Sequence, residues 1–194
     1  MGHREDLLDG AKRCLYDKGY ARTTARDIVA ASGTNLASIG YHYGSKEALM
    51  NAALFKAIEE WGDELERALA TDIDPDATPI ERFEWFWTQV IASVATHRPV
   101  WAATFEMFGQ IERAREVREL VSEAYQESRR AWAGLLSRID AAAEPHLAFA
   151  VGSFHQALLS GVLAQWLVDP DHAPSASDLT EALRTVASQV AGQP

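Results

Sequence analysis

The chain has 194 residues, of which 47% are hydrophobic and 24% are charged, and its formal net charge is −10. These values place it among folded soluble proteins with a core of one large or two small domains. Its single cysteine, Cys14, excludes an intrachain disulfide framework and suits a reducing compartment. Arg4, Glu5 and Asp6 interrupt the start and no apolar run follows them, so we expect no signal peptide and a cytoplasmic protein.

The charge is distributed unevenly along the chain. Residues 1–50 carry seven Lys and Arg against six acidic residues, whereas the remaining residues carry 11 against 22. The acidic residues 51–194, the body of the chain, would repel nucleic acid. The nearly neutral residues 1–50, the front of the chain, carry scattered Lys and Arg and can approach it. If the protein binds DNA, we therefore expect the front of the chain to do so.

The first two predicted helices are short and amphipathic. Before Gly19, which ends the first helix, apolar residues recur at a spacing of about 3.6. These residues are Leu7, Leu8, Ala11, Cys14 and Leu15. Thr24 is a good N-cap for the second helix, and Asp27, three residues later, favours a capping box. The pair Ser32-Gly33 is predicted to end the second helix.

A third helix is predicted over about 35–43, with Leu36, Ile39 and Tyr43 facing inward. Ser45 then caps a fourth helix. The apolar residues of the fourth helix alternate four and three apart, at Leu54, Ile58, Trp61, Leu65 and Leu69.

The fourth helix is expected to continue to about residue 70 and to join two domains, residues 1–50 and residues 71–194. The stretch 72–79, with two prolines and three aspartates, is the clearest linker. Beyond it, apolar periodicity predicts helices over about 80–94, 101–108, 117–139, 146–168 and 179–190. No alternating strand pattern is present, so the predicted fold class is all-α.

The second and third helices have the pattern of a helix-turn-helix around Ser32-Gly33-Thr34. The third helix carries small and hydrogen-bonding side chains on its free faces, where Asn and Ser suit base edges and an Ala methyl suits thymine. Gly40 costs about 1 kcal/mol of helix propensity, which a close approach of the backbone to DNA explains. Tyr41, His42, Lys46 and the capped helix N-termini are candidate phosphate donors. The candidate DNA-binding residues are Thr24, Arg26, Asn35, Ala37, Ser38, Gly40, Tyr41, His42 and Lys46.

The run GYARTTARDIVAASGTNLASIGYHYGSKEALM resembles the DNA-binding domain of the tetracycline-repressor (TetR) family of bacterial regulators. The matching motifs are Gly19-Tyr20, Thr23-Thr24, Ala31 to Asn35, Tyr41-His42-Tyr43 and Ser45 to Leu49. Gly40 and Gly44 depart from the family, which often has Tyr and Pro there. The resemblance implies a homodimeric repressor whose front domain binds a palindromic operator. It also implies a larger helical domain that holds a small molecule and moves the two DNA-binding heads apart.

An aromatic stripe in the second half supports two interpretations. Such stripes are usually core, yet apolar pockets with few polar groups are also what small ligands use. The candidate effector-binding residues are Phe86, Trp87, Trp101, Phe105, Glu106, Trp132 and His155. An aromatic or hydrophobic-cationic effector is expected, with Glu106 available to neutralise a positive ligand.

The segment 146–168 contains no Asp, Glu, Lys or Arg. A buried helix in a helical protein is favoured over a membrane span, because the segment contains His, Gln, Ser and Gly. Small residues fall on one face of this helix, and apolar residues form a stripe on the last helix. Together they suit a two-fold interface of four helices. The candidate interface residues are Ser153, Ala157, Ser160, Gly161, Ala164, Leu179, Leu183, Val186 and Val190.

Enzyme function is the rival class. The sequence has no HExxH motif, no paired cysteines, no Gly-rich phosphate loop and no plausible Ser-His-Asp set. We therefore expect no catalytic site, no metal and no cofactor. The alternatives to a ligand-responsive repressor are a DNA-binding regulator without a small-molecule effector and, less favoured, a helical enzyme.

Overall fold

The structure is a computed structural model that describes residues 3–72, 74, 76–109, 111–112 and 114–192, except for the side chains of 69–72. Within these ranges the chain forms nine α-helices and no strand, which confirms the all-α prediction. In chain order they are α1 His3–Lys18, α2 Ala25–Ser32, α3 Leu36–Tyr43, α4 Lys46–Asp72, α5 Pro79–Val94, α6 Arg98–Phe108, α7 Arg115–Ser137, α8 Pro145–Val168 and α9 Ala176–Ala191.

The helices form two compact units. The first contains α1, α2, α3, α4 as far as Glu64, and α6; the second contains the end of α4 from Leu65, with α5, α7, α8 and α9. This division differs from the predicted domains, 1–50 and 71–194, because α6 belongs to the first unit. Its placement rests on tertiary contacts: the Tyr16 hydroxyl lies 3.0 Å from Nδ1 of His97, the N-cap of α6.

The first unit is built on a close crossing of α1 and α2. A Cβ atom added at Gly10 would lie 2.7 Å from the Cβ of Ser32, so the two helices approach through a glycine. The apolar face predicted for α1 is mostly buried, with Leu7 and Leu15 fully enclosed. Ile28 of α2 lies in the same core.

The second unit is built on a still closer crossing of α7 and α8. A Cβ atom added at Gly152 would lie 2.0 Å from the backbone oxygen of Arg129. The aromatic face of α5 fills the interior beside this crossing, where Phe83, Phe86 and Trp87 are buried. Helix α5 begins with a capping box that Thr78 and Glu81 complete, and α9 begins with an equivalent one.

The predicted inward position of Leu36 is wrong. Leu36 is 54% exposed, and Ile39 is the apolar residue of α3 that is buried in the core. Tyr43 is half-buried, and its hydroxyl donates to the Arg4 carbonyl at 2.9 Å. The prediction of a buried segment 146–168 holds for one face only. By length and composition α8 could cross a membrane, and 33% of its most apolar window is buried.

Candidate functional site

The turn between α2 and α3 has the geometry of a helix-turn-helix connection. Gly33 has φ 68° and ψ 21°, the left-handed conformation that favours glycine, and its N–H donates to the Val29 carbonyl at 3.0 Å. The hydroxyls of Ser32 and Thr34 lie 2.7 Å apart across the turn. The sequence Ser-Gly-Thr therefore ends α2 and redirects the chain into α3 within three residues.

Helix α3 presents a free face of small and polar groups. Ala37, Gly40 and Tyr41 are exposed, and Tyr41 is exposed to 86%. A Cβ atom at Gly40 would meet nothing within 4 Å, so no contact inside the protein requires glycine there. The Tyr41 and His42 rings form an edge contact with centroids 4.8 Å apart. This face therefore also carries an exposed aromatic ring.

Asn35 was predicted as the first residue of the third helix, and in the structure it is the N-cap of α3. Its side-chain oxygen accepts from the Ser38 N–H at 3.1 Å. This contact ties the oxygen of Asn35 to helix capping and leaves its amide nitrogen as the group that can face a partner. Sequence reasoning could have found this role from the turn residues that precede Asn35.

The N-terminus of α2 carries the predicted capping box. The Thr24 N–H donates to the Asp27 carboxylate at 2.9 Å, and the Asp27 N–H donates to the Thr24 hydroxyl at 3.3 Å. Lys18 and Thr24 hydrogen-bond the Asp27 carboxylate and hold its pKa well below the usual range. Arg26, in the first turn of α2, is exposed.

Lys46 is more enclosed than a free phosphate donor. Its Nζ lies 3.3 Å from the Thr23 carbonyl and 3.4 Å from the Glu47 carboxylate. Thr23 itself is 1% exposed, and its hydroxyl donates to the Gly19 carbonyl at 2.7 Å. Lys46 therefore braces the start of α4 against the end of the loop before α2.

Sequence reasoning missed one buried polar pair in this region. The Tyr20 hydroxyl donates to the Asn51 side-chain oxygen at 2.6 Å, and Asn51 is 7% exposed. The available signal was an amide residue among the apolar positions of α4. The bond fixes the loop after α1 to the helix that follows α3.

The seven candidate effector residues fall in both units. In the second unit the Phe86 ring makes edge contacts with Trp87 and Trp132, each with centroids 5.4 Å apart. In the first unit Trp101 makes an edge contact with Trp61 at 4.6 Å. Phe105 of the first unit contacts Phe108, with centroids 5.8 Å apart.

Glu106 is exposed, so the predicted neutralisation of a bound cation receives no support from its position.

Three buried polar groups among these candidates have no hydrogen-bond partner in the described part of the chain. They are Nε1 of Trp87, Nε1 of Trp101 and Nδ1 of His155. By contrast, Nε1 of Trp132 donates to the Gln156 side-chain oxygen at 3.4 Å. A buried donor or acceptor without a partner costs about 1–3 kcal/mol. These groups are therefore what an ordinary packed core would avoid.

His155 lies on the buried face of α8, 8% exposed, beside the rings of Phe83 and Phe154. Burial lowers its pKa to about 4. The imidazole is therefore neutral at pH 7 and offers one donor and one acceptor.

Four of the nine candidate interface residues are exposed, two on α8 and two on α9. On α8, Ala157 and Gly161 are exposed, and a Cβ atom at Gly161 would meet nothing within 4 Å. The neighbouring Phe154 is 47% exposed on the same face. On α9, Val186 and Val190 are exposed to 58% and 72%. The remaining candidates, Ser153, Ser160, Ala164, Leu179 and Leu183, are half-buried.

Among the described residues, no group of three or more His, Cys, Asp or Glu side chains is placed to hold a metal ion.

Two family models match this chain. The model described as bacterial regulatory proteins, tetR family, matches residues 7–53. The model described as the tetracyclin repressor-like C-terminal domain matches residues 78–189, more than half of the chain. This chain belongs to the tetR family of bacterial regulatory proteins. Membership of the tetR family assigns it to the helix-turn-helix, DNA-binding transcriptional regulators.

Individual relatives within this class are distant. The HTH-type transcriptional regulator TtgR of Pseudomonas putida is 33% identical over 73 residues, which are 38% of this chain and 34% of TtgR. The chain thus spans about a third of the length of that curated relative.

Solved structures of transcriptional regulators match over most of the chain. A transcriptional regulator from Pseudomonas aeruginosa PAO1 has a TM-score of 0.66 and 20% identity, covering 97% of this chain and 90% of its own. A regulator from Saccharomonospora viridis in complex with choline has a TM-score of 0.63 and 20% identity, covering 94% and 93%. At these identities the likeness shows the fold of the tetR family, which confirms the predicted architecture.

Proposed function

We propose that this protein is a cytoplasmic, dimeric transcriptional repressor that binds a palindromic operator and releases it when a small hydrophobic effector binds. The observation that carries the proposal is the free face of α3. It offers small and hydrogen-bonding groups, and its Gly40 has no packing role within the protein.

The DNA-binding step rests on the geometry of the front of the chain. Helix α3 is the second helix of the helix-turn-helix, the one that enters the major groove. Ser38 and the amide nitrogen of Asn35 are the candidates for base edges, and Arg26 and Tyr41 for phosphates. The bracing contacts of Lys46 favour a positioning role beside any phosphate contact.

The dimer rests on the chemistry of α8. Its buried side, including Gly152 and Leu159, packs within the second unit, while its uncovered side is formed by Ala150, Phe154, Ala157 and Gly161. At about 100° per residue these four positions share one face. An uncharged, uncovered helix face with small residues suits the same face of a second copy, which also places two α3 helices for the two halves of a palindrome.

The effector step rests on the buried polar groups without partners. In the second unit Trp87 Nε1 is a donor without a partner in the described part of the chain, so it favours a ligand that carries a hydrogen-bond acceptor on an apolar body. With Glu106 exposed, a cationic effector is less favoured than the sequence suggested. A regulator of similar fold from Saccharomonospora viridis has been solved in complex with choline, which keeps a cationic effector as the alternative.

The route from effector to DNA includes α6 as well as α4. Helix α6 contacts α1 through His97 and Tyr16, and α4 through Trp101 and Trp61, all within the first unit. A ligand that moves α6 therefore acts directly on helices of the DNA-binding unit. To lower operator affinity 100-fold, the ligand must favour the released state by about 2.7 kcal/mol.

DNA binding is tested with the full chain and DNA from its own genome. Sequencing the protected fragments should yield a palindrome with half-sites about one helical turn or somewhat more apart. With on the order of 6–10 phosphate contacts per dimer, affinity should fall about 10³-fold or more between roughly 50 and 200 mM salt. A flat salt response, or equal affinity for half-site and palindrome, would contradict the proposal.

The effector is tested by comparing two tryptophans of the second unit. A panel of apolar compounds is first screened by thermal shift. Trp87→Phe should then weaken both binding of the selected compound and its effect on DNA, because it removes the unpartnered donor. Trp132→Phe is the matched control, since its indole is bonded to Gln156. If no compound binds, the protein regulates without a small-molecule effector.

A further inference from the structure

Helices α7 and α8 bound a surface cleft of about 270 Å³ in the second unit. Its polar side comes from α7, where Gln126, Arg129 and Arg130 line the cleft. These positions are three and four residues apart and therefore share a helix face. Its apolar side comes from the first two turns of α8, where Pro145 and Phe149 line the cleft and Phe149 is 57% exposed.

The guanidinium of Arg129 is held in a fixed position. Its central carbon lies 5.2 Å from the centre of the Phe149 ring and 5.8 Å from that of Tyr125. The backbone of Arg129 is fixed as well, because it packs directly against Gly152. A guanidinium ordered by the fold loses little further freedom when it binds a ligand.

The charge of the two arginines is not balanced locally. Neither Arg129 nor Arg130 forms an ion pair with a described residue. The Nε of Arg129 is buried and has no hydrogen-bond partner in the described part of the chain. Arg129 and Arg130 therefore bring to one cleft two positive charges without an ion pair to any described residue. The cation–π contacts explain why Arg129 is ordered. They supply neither a hydrogen-bond acceptor for its Nε nor a negative charge for Arg130.

We propose that this cleft binds a small organic acid. The carboxylate would accept from Arg129 and Arg130 in the planar geometry that guanidinium groups favour, and an apolar group would lie against Phe149 and Pro145. The volume is slightly below the range of about 300–1,000 Å³ for drug-sized ligands, which limits the acid to a single ring or short chain. The cleft does not involve the aromatic residues assigned above to the effector.

The cleft also stays open in the proposed dimer. Pro145, Ala148 and Phe149 lie on other sides of α8 than Phe154 and Gly161, which the proposed interface would cover. Acid binding should therefore be measurable on the native protein without DNA, and its outcome is independent of operator and effector binding.

The test is calorimetric titration of the full chain with phenylacetate, its neutral analogue phenylacetamide, and inorganic phosphate. Phenylacetate should bind with a dissociation constant of about 1 mM or tighter. Phenylacetamide should show no binding, because it lacks the charge. Phosphate should bind at least tenfold more weakly than phenylacetate, since it lacks the apolar group. Equal binding of phenylacetamide, or tighter binding of phosphate, would overturn the assignment to an organic acid.

Two variants locate the site. Arg130→Gln should weaken phenylacetate binding at least tenfold, while Arg118→Gln, the same change at an exposed position of α7, should leave it unchanged. In the native protein the Nε–H resonance of Arg129 should shift on titration with phenylacetate and not with phenylacetamide. Absence of that shift, or equal weakening by both variants, would show that the acid binds elsewhere or not at all.

Discussion

Four glycines within helices differ in what surrounds them: two lie at internal helix crossings, and two lie on faces that no described part of the protein covers. At Gly10 and Gly152 an added Cβ atom would lie within 3 Å of a neighbouring helix, so the fold itself requires glycine. At Gly40 and Gly161 an added Cβ atom would meet nothing, although glycine weakens a helix by about 1 kcal/mol. Packing within one chain does not explain the glycines of the second pair. A partner that approaches the helix closely would explain them, and we infer that this partner is DNA at Gly40 and a second copy of the chain at Gly161.

The largest effect is expected at Gly152. Gly152→Ala would force a methyl group to 2.0 Å from the Arg129 carbonyl oxygen, a backbone atom that cannot move alone. Overpacking costs about 1–3 kcal/mol and more where backbone must shift, so the second unit should unfold at much lower urea. Gly40→Ala is the control and should not be destabilised, because an added Cβ atom there meets nothing within 4 Å in the described part of the protein. Equal urea midpoints for the two variants would contradict the comparison.

Gly161→Leu should break the dimer and leave each subunit helical. A branched side chain on the uncovered face of α8 would hold the partner helix away, at a cost of about 1–3 kcal/mol that symmetry applies twice. Sedimentation at low protein concentration should show monomers, and circular dichroism should show unchanged helix content. A variant that sediments as the native dimer would place the interface elsewhere.

Acid should destabilise the second unit through His155, which lies on the opposite, buried face of α8. Its pKa in the folded state is about 4, below the value of about 6.5 in an unfolded chain. The neutral imidazole is thus favoured by folding, and its contribution is present above pH 6.5 and lost as pH falls towards 4. The loss should be roughly 3 kcal/mol. Urea titrations between pH 7 and 4 should show it, and His155→Phe should show a smaller decline.

Gly40→Ala should have the smallest effect on stability among these variants. It should raise the stability of the protein and lower its affinity for the operator. It should stabilise α3 by up to about 1 kcal/mol, because alanine favours the helix and its methyl group has free space. It should weaken operator binding, because that methyl group occupies the surface offered to DNA. Calorimetry and operator titration measure the two effects. Tighter operator binding by the more stable variant would show that Gly40 does not mark a close approach to DNA.

The local chemistry of the front was readable from the sequence. Thr24 with Asp27 predicted the capping box, Ser32-Gly33 the end of α2, and Ser45 the cap of α4, as the structure confirms. Each depends on groups within three or four residues along the chain, where side-chain type alone decides which backbone groups are satisfied. Leu36 was misplaced because helical periodicity gives the spacing of a face, and packing decides which apolar position is covered.

The sequence by itself determined the all-α class, the helix-turn-helix and the uncharged, largely apolar character of α8. Those features are fixed by local backbone preferences and by the spacing of side chains. Only the tertiary structure decided that α6 packs with α1 and that the aromatic candidates divide between two units. It alone showed that Trp87 and His155 keep buried groups without partners, while Trp132 does not. Partners far apart in the chain decide whether a buried polar atom is satisfied, and spacing along the sequence carries no information about them.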